Sequence, residues 1–198
     1  MFEPTITKEA VNELPAIAFG GEIVVVDTPD QIESACDDLL SCRLVGFDTE
    51  SRPAFQKGVV NRIALLQLST ESKCYLFRLN KIRLEKAILK VLESSRVVKV
   101  GLSVAGDIRE LETLHKLRPR GFVDLQKEVL RHGITDQSLI KIAAITLGRR
   151  ISKAQRLSNW EAVTLTPAQQ IYAATDAWIC TEIYKKLQRD VSGGATPK

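Results

Sequence analysis

The chain is predicted to form one α/β domain around a mixed sheet of five to six strands, with helices on the sheet's faces. Three observations predict this. Three strand-like segments, residues 43–50, 62–69 and 74–79, follow one another and read as an antiparallel meander. Strand and helix patterns then alternate, which implies parallel pairing and α/β layering. The length, 198 residues, suits a single core, since domains usually hold about 100–200 residues.

Each element has its own signal. Residues 22–27 (EIVVVD) read as a short strand, and Thr28-Pro-Asp opens a helix reaching about residue 40. The segment RLVGFDTE, 43–50, is a strand. Residues 51–61 contain Pro53 and Gly58 and read as a loop. RIALLQLS, 62–69, is a strongly apolar strand, and the polar stretch 70–73 turns the chain into CYLFRL, 74–79. Leu84, Ala87, Ile88, Val91 and Leu92 have helical spacing. Residues 97–102 are another apolar strand. Ser103 stands where it would cap a helix carrying Ile108, Leu111 and Leu114. Residues 122–125 make a short final strand. Thr166-Pro-Ala-Gln169 carries a capping Thr, Pro at the first helical position and Gln three residues on, so the last helix starts there and runs to about residue 188.

Residues 1–21 read as a partly helical N-terminal extension, 22–191 as the folded domain, and 192–198 as a small, polar, disordered tail. The chain is 44% hydrophobic and 26% charged, the composition of an ordinary globular protein. Its net charge of +4 suits a polyanionic partner without demanding one. Four cysteines and two histidines are scattered with no zinc-ligand spacing, which points to reduced thiols in an intracellular protein. No apolar run is long enough to cross a bilayer, and no signal-peptide pattern opens the chain. A cytoplasmic location and no membrane partner are expected.

The chemistry lies in carboxylates. Side chains alternate along a strand, so Asp48 and Glu50 share one face of segment 43–50. Alone, that pair is an ordinary strand end. Tyr172 and Asp176 are i and i+4 on the last helix and stack on one face. Alone, they are a core-edge Tyr and a surface Asp. Asp107 falls in a first helical turn, where the helix dipole favours an acid. Together they say more, because strand ends and helix starts can converge at one sheet edge. Two unit charges 4 Å apart repel by about 4 kcal/mol at an effective dielectric near 20. Four gathered acids therefore require protonation or divalent cations, and Mg²⁺ or Mn²⁺ suits oxygen donors.

Three motifs stand in order: Gly46-Phe-Asp-Thr-Glu50 followed by RIALLQL (62–68); Lys99-Val-Gly-Leu-Ser-Val-Ala-Gly-Asp107; and Ser158-Asn-Trp160 followed by Leu165-Thr-Pro-Ala-Gln169 and Tyr172-Ala-Ala-Thr-Asp176. In these the chain resembles the DEDDy branch of the DnaQ-like 3′→5′ exonucleases, and among them the ribonuclease D and Werner-type exonuclease domains. The resemblance spans residues 44–187. It implies a ribonuclease H-like fold and a metal-dependent 3′→5′ exonuclease releasing nucleoside 5′-monophosphates from DNA or RNA. It implies catalytic roles for Asp48, Glu50, Asp107, Asp176 and Tyr172, with the four acids holding two divalent ions, Mg²⁺ or Mn²⁺. The partner implied is nucleic acid with a free 3′ end, single-stranded or recessed. The competing reading is a nucleic-acid-binding or scaffolding module without nuclease activity; none of the five site residues is substituted, which argues against it.

Candidate substrate contacts follow from position. Arg149, Arg150, Lys153 and Arg156 form the densest basic segment, just ahead of the third motif. Basic loops are usually only solvated, but this one stands beside site residues. Arg52 and Phe55 follow the first motif, and Leu102 and Ser103 border the second; packing and helix capping explain Leu102 and Ser103 equally well. Trp160 is a candidate for base stacking, but a core or loop-anchoring role is the more usual one for such a residue.

Overall fold

The computed structural model describes residues 2–54, 58 and 61–193, with no side-chain description beyond 190. The sheet has six strands: β1 (Glu22–Val26), β2 (Leu44–Ser51), β3 (Ile63–Ser69), β4 (Lys73–Phe77), β5 (Val98–Gly101) and β6 (Phe122–Asp124). Their order is β1-β4-β3-β2-β5-β6. Strands β2, β3 and β4 pair antiparallel, as the meander predicts. β1 joins β4 in parallel, and β5 and β6 continue from β2 in parallel. The helices are α1 (Lys8–Glu13), α2 (Ile32–Ser41), α3 (Lys86–Glu93), α4 (Val104–Leu114), α5 (Leu125–Leu130), α6 (Leu139–Leu147) and α7 (Pro167–Gly193).

Strand alternation divides the core. Val45, Phe47, Leu66, Leu68, Tyr75 and Phe77 pack with α2, α3 and α4 on one side. Leu65, Cys74 and Leu76 pack with Tyr172, Ala173 and Ala174 of α7 on the other. A third cluster fills the space between β5, α5, α6 and α7, with Val100, Leu125, Ile142, Ile179 and Ile183 buried together. At roughly 25 cal/mol per Å² of apolar surface removed from water, these layers supply the main driving force for the fold. No described helix is long and apolar enough to cross a membrane.

A close backbone approach between β2 and α7 helps set the site. A Cβ added at Gly46 would lie 1.8 Å from the Ala177 carbonyl oxygen. Glycine on β2 and alanines on α7 together let the helix backbone rest on the strand. Thr166 and Gln169 start α7 as expected: Gln169 N donates to Thr166 Oγ1 at 3.2 Å, and Thr166 N donates to Gln169 Oε1 at 2.9 Å. The helix continues to Gly193, beyond the end expected near residue 188 and into the stretch read as a tail; residues 194–198 lie outside the described residues.

The N-terminal segment is stitched onto the domain. Ile17 N donates to Arg150 O at 2.9 Å, and Arg150 N donates to Pro15 O at 3.0 Å. Phe19 N donates to Thr175 Oγ1 of α7 at 3.0 Å. Ile6 N donates to Asp136 Oδ2 at 2.9 Å.

Candidate active site

β2 lies at the centre of the sheet, and its second half runs past its parallel neighbour. β5 pairs only with Leu44, Val45 and Gly46. Asp48 and Glu50 therefore stand where β5 has already turned away into α4. From the other side of β2, α7 brings Asp176, the residue next to the Ala177 contact with Gly46. Carboxylate oxygens of Asp48, Glu50 and Asp176 all fall within 4.8 Å of one another. The alternation that places Asp48 and Glu50 on the α7 face is the one inferred from the sequence.

Asp107 joins from the opposite layer. It sits in the first turn of α4, and the Thr49 hydroxyl donates to its Oδ1 at 2.7 Å. Its charge bears on both Asp48 and Glu50. The structure thus gathers three acids tightly and holds the fourth at their edge through Thr49. The Tyr172 ring packs beside Trp160, with centroids 6.0 Å apart, and its hydroxyl interacts with the Asp176 carboxylate.

The electrostatics are those of a cluster of anions short of a counter-charge. Burial, followed by the charges of Asp176, Glu50 and Asp107, raises Asp48 well above the usual carboxylate range. Burial and then Asp176 and Asp107 push Glu50 up to about 8. Burial raises Asp176 to about 7 although Tyr172 opposes it. Burial raises Asp107 to about 6 against the Thr49 hydrogen bond. Tyr172 is raised as well, by burial and then by Asp176 and Glu50, so its phenol stays protonated. Clustered oxygen donors with unbalanced negative charge fit a hard divalent cation. No lysine or arginine forms an ion pair with Asp48, Glu50, Asp107 or Asp176 among the described residues.

Other expected residues are distributed differently. Arg52 follows β2 and is paired with Glu161 at 3.6 Å. Phe55 lies outside the described residues. Leu102 is half-buried against the core under α5 and α6. Ser103 is exposed and occupies the N-cap position of α4, but its hydroxyl makes no capping bond: the backbone there is left-handed, with φ 56°. Its N–H donates instead to Asp124 Oδ1 at 2.9 Å. The expected Ser103 cap is therefore corrected to a backbone link between the β5–α4 turn and β6. Trp160 takes the core role rather than the base-stacking one. It is 0% exposed, packed among Leu165, Tyr172 and Ala173, and has no free face on which a base could stack. Arg149, Arg150, Lys153 and Arg156 are all exposed, on the loop between α6 and α7.

Two residues near the carboxylates escaped sequence reading. Thr49 was visible only as the residue facing away from the acids. Gln67 on β3 pairs directly with Asp48 in the sheet, is fully buried, and leaves both amide atoms without a partner among the described residues. A glutamine inside the apolar run RIALLQLS was the available signal for it.

The mixed sheet has a ribonuclease D-like fold, and the chain belongs to the 3′-5′ exonuclease family, whose model matches residues 23–192. It is 35% identical over 188 residues to the bifunctional 3′-5′ exonuclease/ATP-dependent helicase WRN of Mus musculus; that match covers 89% of this chain and 13% of the mouse protein. Among solved structures, the Aedes aegypti Nibbler EXO domain superposes with a TM-score of 0.81 at 23% identity, covering 90% of this chain and 94% of that one. Escherichia coli RNase D, described as an exoribonuclease involved in structured RNA processing, gives a TM-score of 0.77 at 20% identity, over 87% of this chain and 46% of that one. These likenesses carry the fold.

Proposed function

We propose that this chain hydrolyses the terminal phosphodiester of a nucleic acid with a free 3′ end, DNA or RNA, and releases nucleoside 5′-monophosphates. The observation that carries the proposal is the meeting of Asp48, Glu50 and Asp176 within 4.8 Å, in a chain of the 3′-5′ exonuclease family.

Asp48, Glu50 and Asp176 would hold one divalent ion, and Asp48 with Asp107 a second, Mg²⁺ or Mn²⁺ in each case. Bound there, such a pair stabilises the attacking and leaving oxygens of a phosphodiester. The chain's own residues do the remaining work. The close packing of α7 on Gly46 positions Asp176 against Asp48 and Glu50, the residues that would hold the ions. Thr49 orients Asp107 by its hydrogen bond. The Tyr172 hydroxyl, kept protonated, orients the attacking water beside Asp176. A lone general base supplies only about 10²–10⁴-fold, so most of the acceleration rests on charge stabilisation and positioning.

Incubation with 3′- and 5′-labelled single-stranded DNA and RNA, in Mn²⁺ or Mg²⁺ and in EDTA, tests this directly. Metal-dependent, stepwise shortening from the 3′ end is expected. Substrate that is bound but left intact in every metal overturns the enzyme reading in favour of a binding module.

A further inference from the structure

Tyr172, whose hydroxyl faces Asp176, also lines a groove that adjoins a larger cavity walled by the N-terminal segment. The inner part, about 280 Å³, is lined by Tyr172, Ile171 and Thr175 of α7 together with Ile17, Ala18 and Gln155. The outer part, about 780 Å³, shares Ile17, Ala18, Ser152 and Ala154 with it, so the two adjoin. The larger volume lies within the ~300–1,000 Å³ range of ligand-binding clefts.

The lining has a definite chemistry. Val11, Ile17, Ile140 and Ile151 supply apolar surface, and Lys8, Lys141, Arg150 and Lys153 supply positive charge. No Asp or Glu lines it among the described residues. Lys141 is engaged by Asp136 at 2.9 Å, whereas Lys8 and Lys153 have no carboxylate partner among the described residues. The wall is built rather than loose: the Ile17–Arg150 and Phe19–Thr175 hydrogen bonds clamp residues 15–19 to the basic loop and to α7.

We infer that this groove holds the single strand that trails from the 3′-terminal nucleotide, so that the N-terminal segment is part of the substrate-binding surface. The inference rests on the proposed exonuclease function. Its grounds are complementarity and continuity. Bases settle on apolar surface while lysine and arginine neutralise phosphates. A polymer that begins at Tyr172 meets those two chemistries in sequence along one path, which a ligand confined to the outer cavity would not.

The test uses the full chain and 5′-fluorescein-labelled single strands of two and twelve nucleotides. Wild-type protein should cleave the longer strand with the higher kcat/KM. In Lys8→Glu/Lys153→Glu that preference should fall about tenfold, through KM, with a shallower salt dependence of binding. Lys8→Ala/Lys153→Ala should move both in the same direction by less. An unchanged length preference and salt slope in both double variants overturns the inference. So does adenosine 5′-monophosphate binding whose dependence on Lys8 and Lys153 equals that of the twelve-mer, since the groove would then be a mononucleotide site. Should the wild type cleave neither strand, the exonuclease reading fails by itself. Twelve-mer binding in EDTA still decides the groove: weakened binding in the variants supports it and equal binding overturns it.

Discussion

The Thr49 hydroxyl donates to Asp107 Oδ1 at 2.7 Å, tying the first turn of α4 to the strand that carries Asp48 and Glu50. Thr49 points to the α4 side of the sheet and the two acids to the α7 side. One strand thus addresses both layers, and its fourth carboxylate partner is positioned from behind. Partners that orient a ligating group typically change metal affinity about 10–100-fold when removed. Thr49→Val keeps the volume and deletes the donor. It should raise the Mn²⁺ concentration for half-maximal cleavage about tenfold or more, with little change in melting temperature. A metal titration that superposes on wild type would show that Thr49 does not set Asp107.

Removing a carboxylate should damage activity and help the metal-free fold at once. Asp48→Asn or Asp176→Asn deletes a charge from a cluster in which every acid is raised. Cleavage should drop by about 10²–10³-fold or more, since metal stabilisation is worth several kcal/mol and each ~1.4 kcal/mol is a factor of ten. In EDTA at pH 8 the melting temperature should rise. Scanning fluorimetry that shows the variants melting lower than wild type in EDTA would contradict the unbalanced-charge account.

The same cluster dictates how stability depends on pH. Unfolded carboxylates titrate near 4, whereas Asp107, Asp176 and Glu50 are raised to about 6, 7 and 8 in the folded chain. Between those limits the folded state binds more protons than the unfolded one. This contribution to stability is therefore fully present below about pH 4 and is lost progressively as pH rises to about 8. Mg²⁺ should raise the melting temperature more at pH 8 than at pH 5, because the ionised carboxylates that bind it are more populated. Equal metal-induced shifts at the two pH values would argue against binding at this cluster.

Tyr172 separates packing from chemistry. Its ring fills the layer beside Trp160, while its hydroxyl faces Asp176. Tyr172→Phe retains the ring, so thermal stability should stay near wild type. The fall in kcat should be about 10²-fold, at the lower end of what one positioned proton-handling group contributes. A variant that melts normally and cleaves at the wild-type rate would remove Tyr172 from the mechanism.

Gly46 tests whether backbone packing sets the site. An added methyl would meet the Ala177 carbonyl at 1.8 Å, with backbone on both sides and no side chain able to move aside. Gly46→Ala should cost about 1–3 kcal/mol or more, the usual range for overpacking. It should also lower cleavage beyond what the loss of folded protein explains, because Asp176 rides on the displaced helix. Denaturant unfolding alongside single-turnover kinetics would measure both.

What could be read from the sequence was whatever depends on local order along the chain. Strand alternation put Asp48 and Glu50 on one face, and helical spacing stacked Tyr172 on Asp176. Capping chemistry marked the start of α7 at Thr166, and the meander segments predicted the antiparallel half of the sheet. The three motifs, taken in order, carried the family. Features that join distant segments were not available in that way. Nothing around Ser103 announced a left-handed backbone in place of a side-chain cap. A core role for Trp160 could be read from its residue type, but not that Tyr172 of α7 would pack against its ring. The partner of Thr49 lies 58 positions away, and Lys8 meets Lys153 around one cavity only because residues 15–19 are held against the basic loop. Periodicity and capping act within a few residues, so a sequence displays them directly. The approach of α7 to Gly46, and with it the meeting of Asp176 with Asp48 and Glu50, is decided by side-chain volume and burial summed over the whole core, and only the folded chain contains that sum.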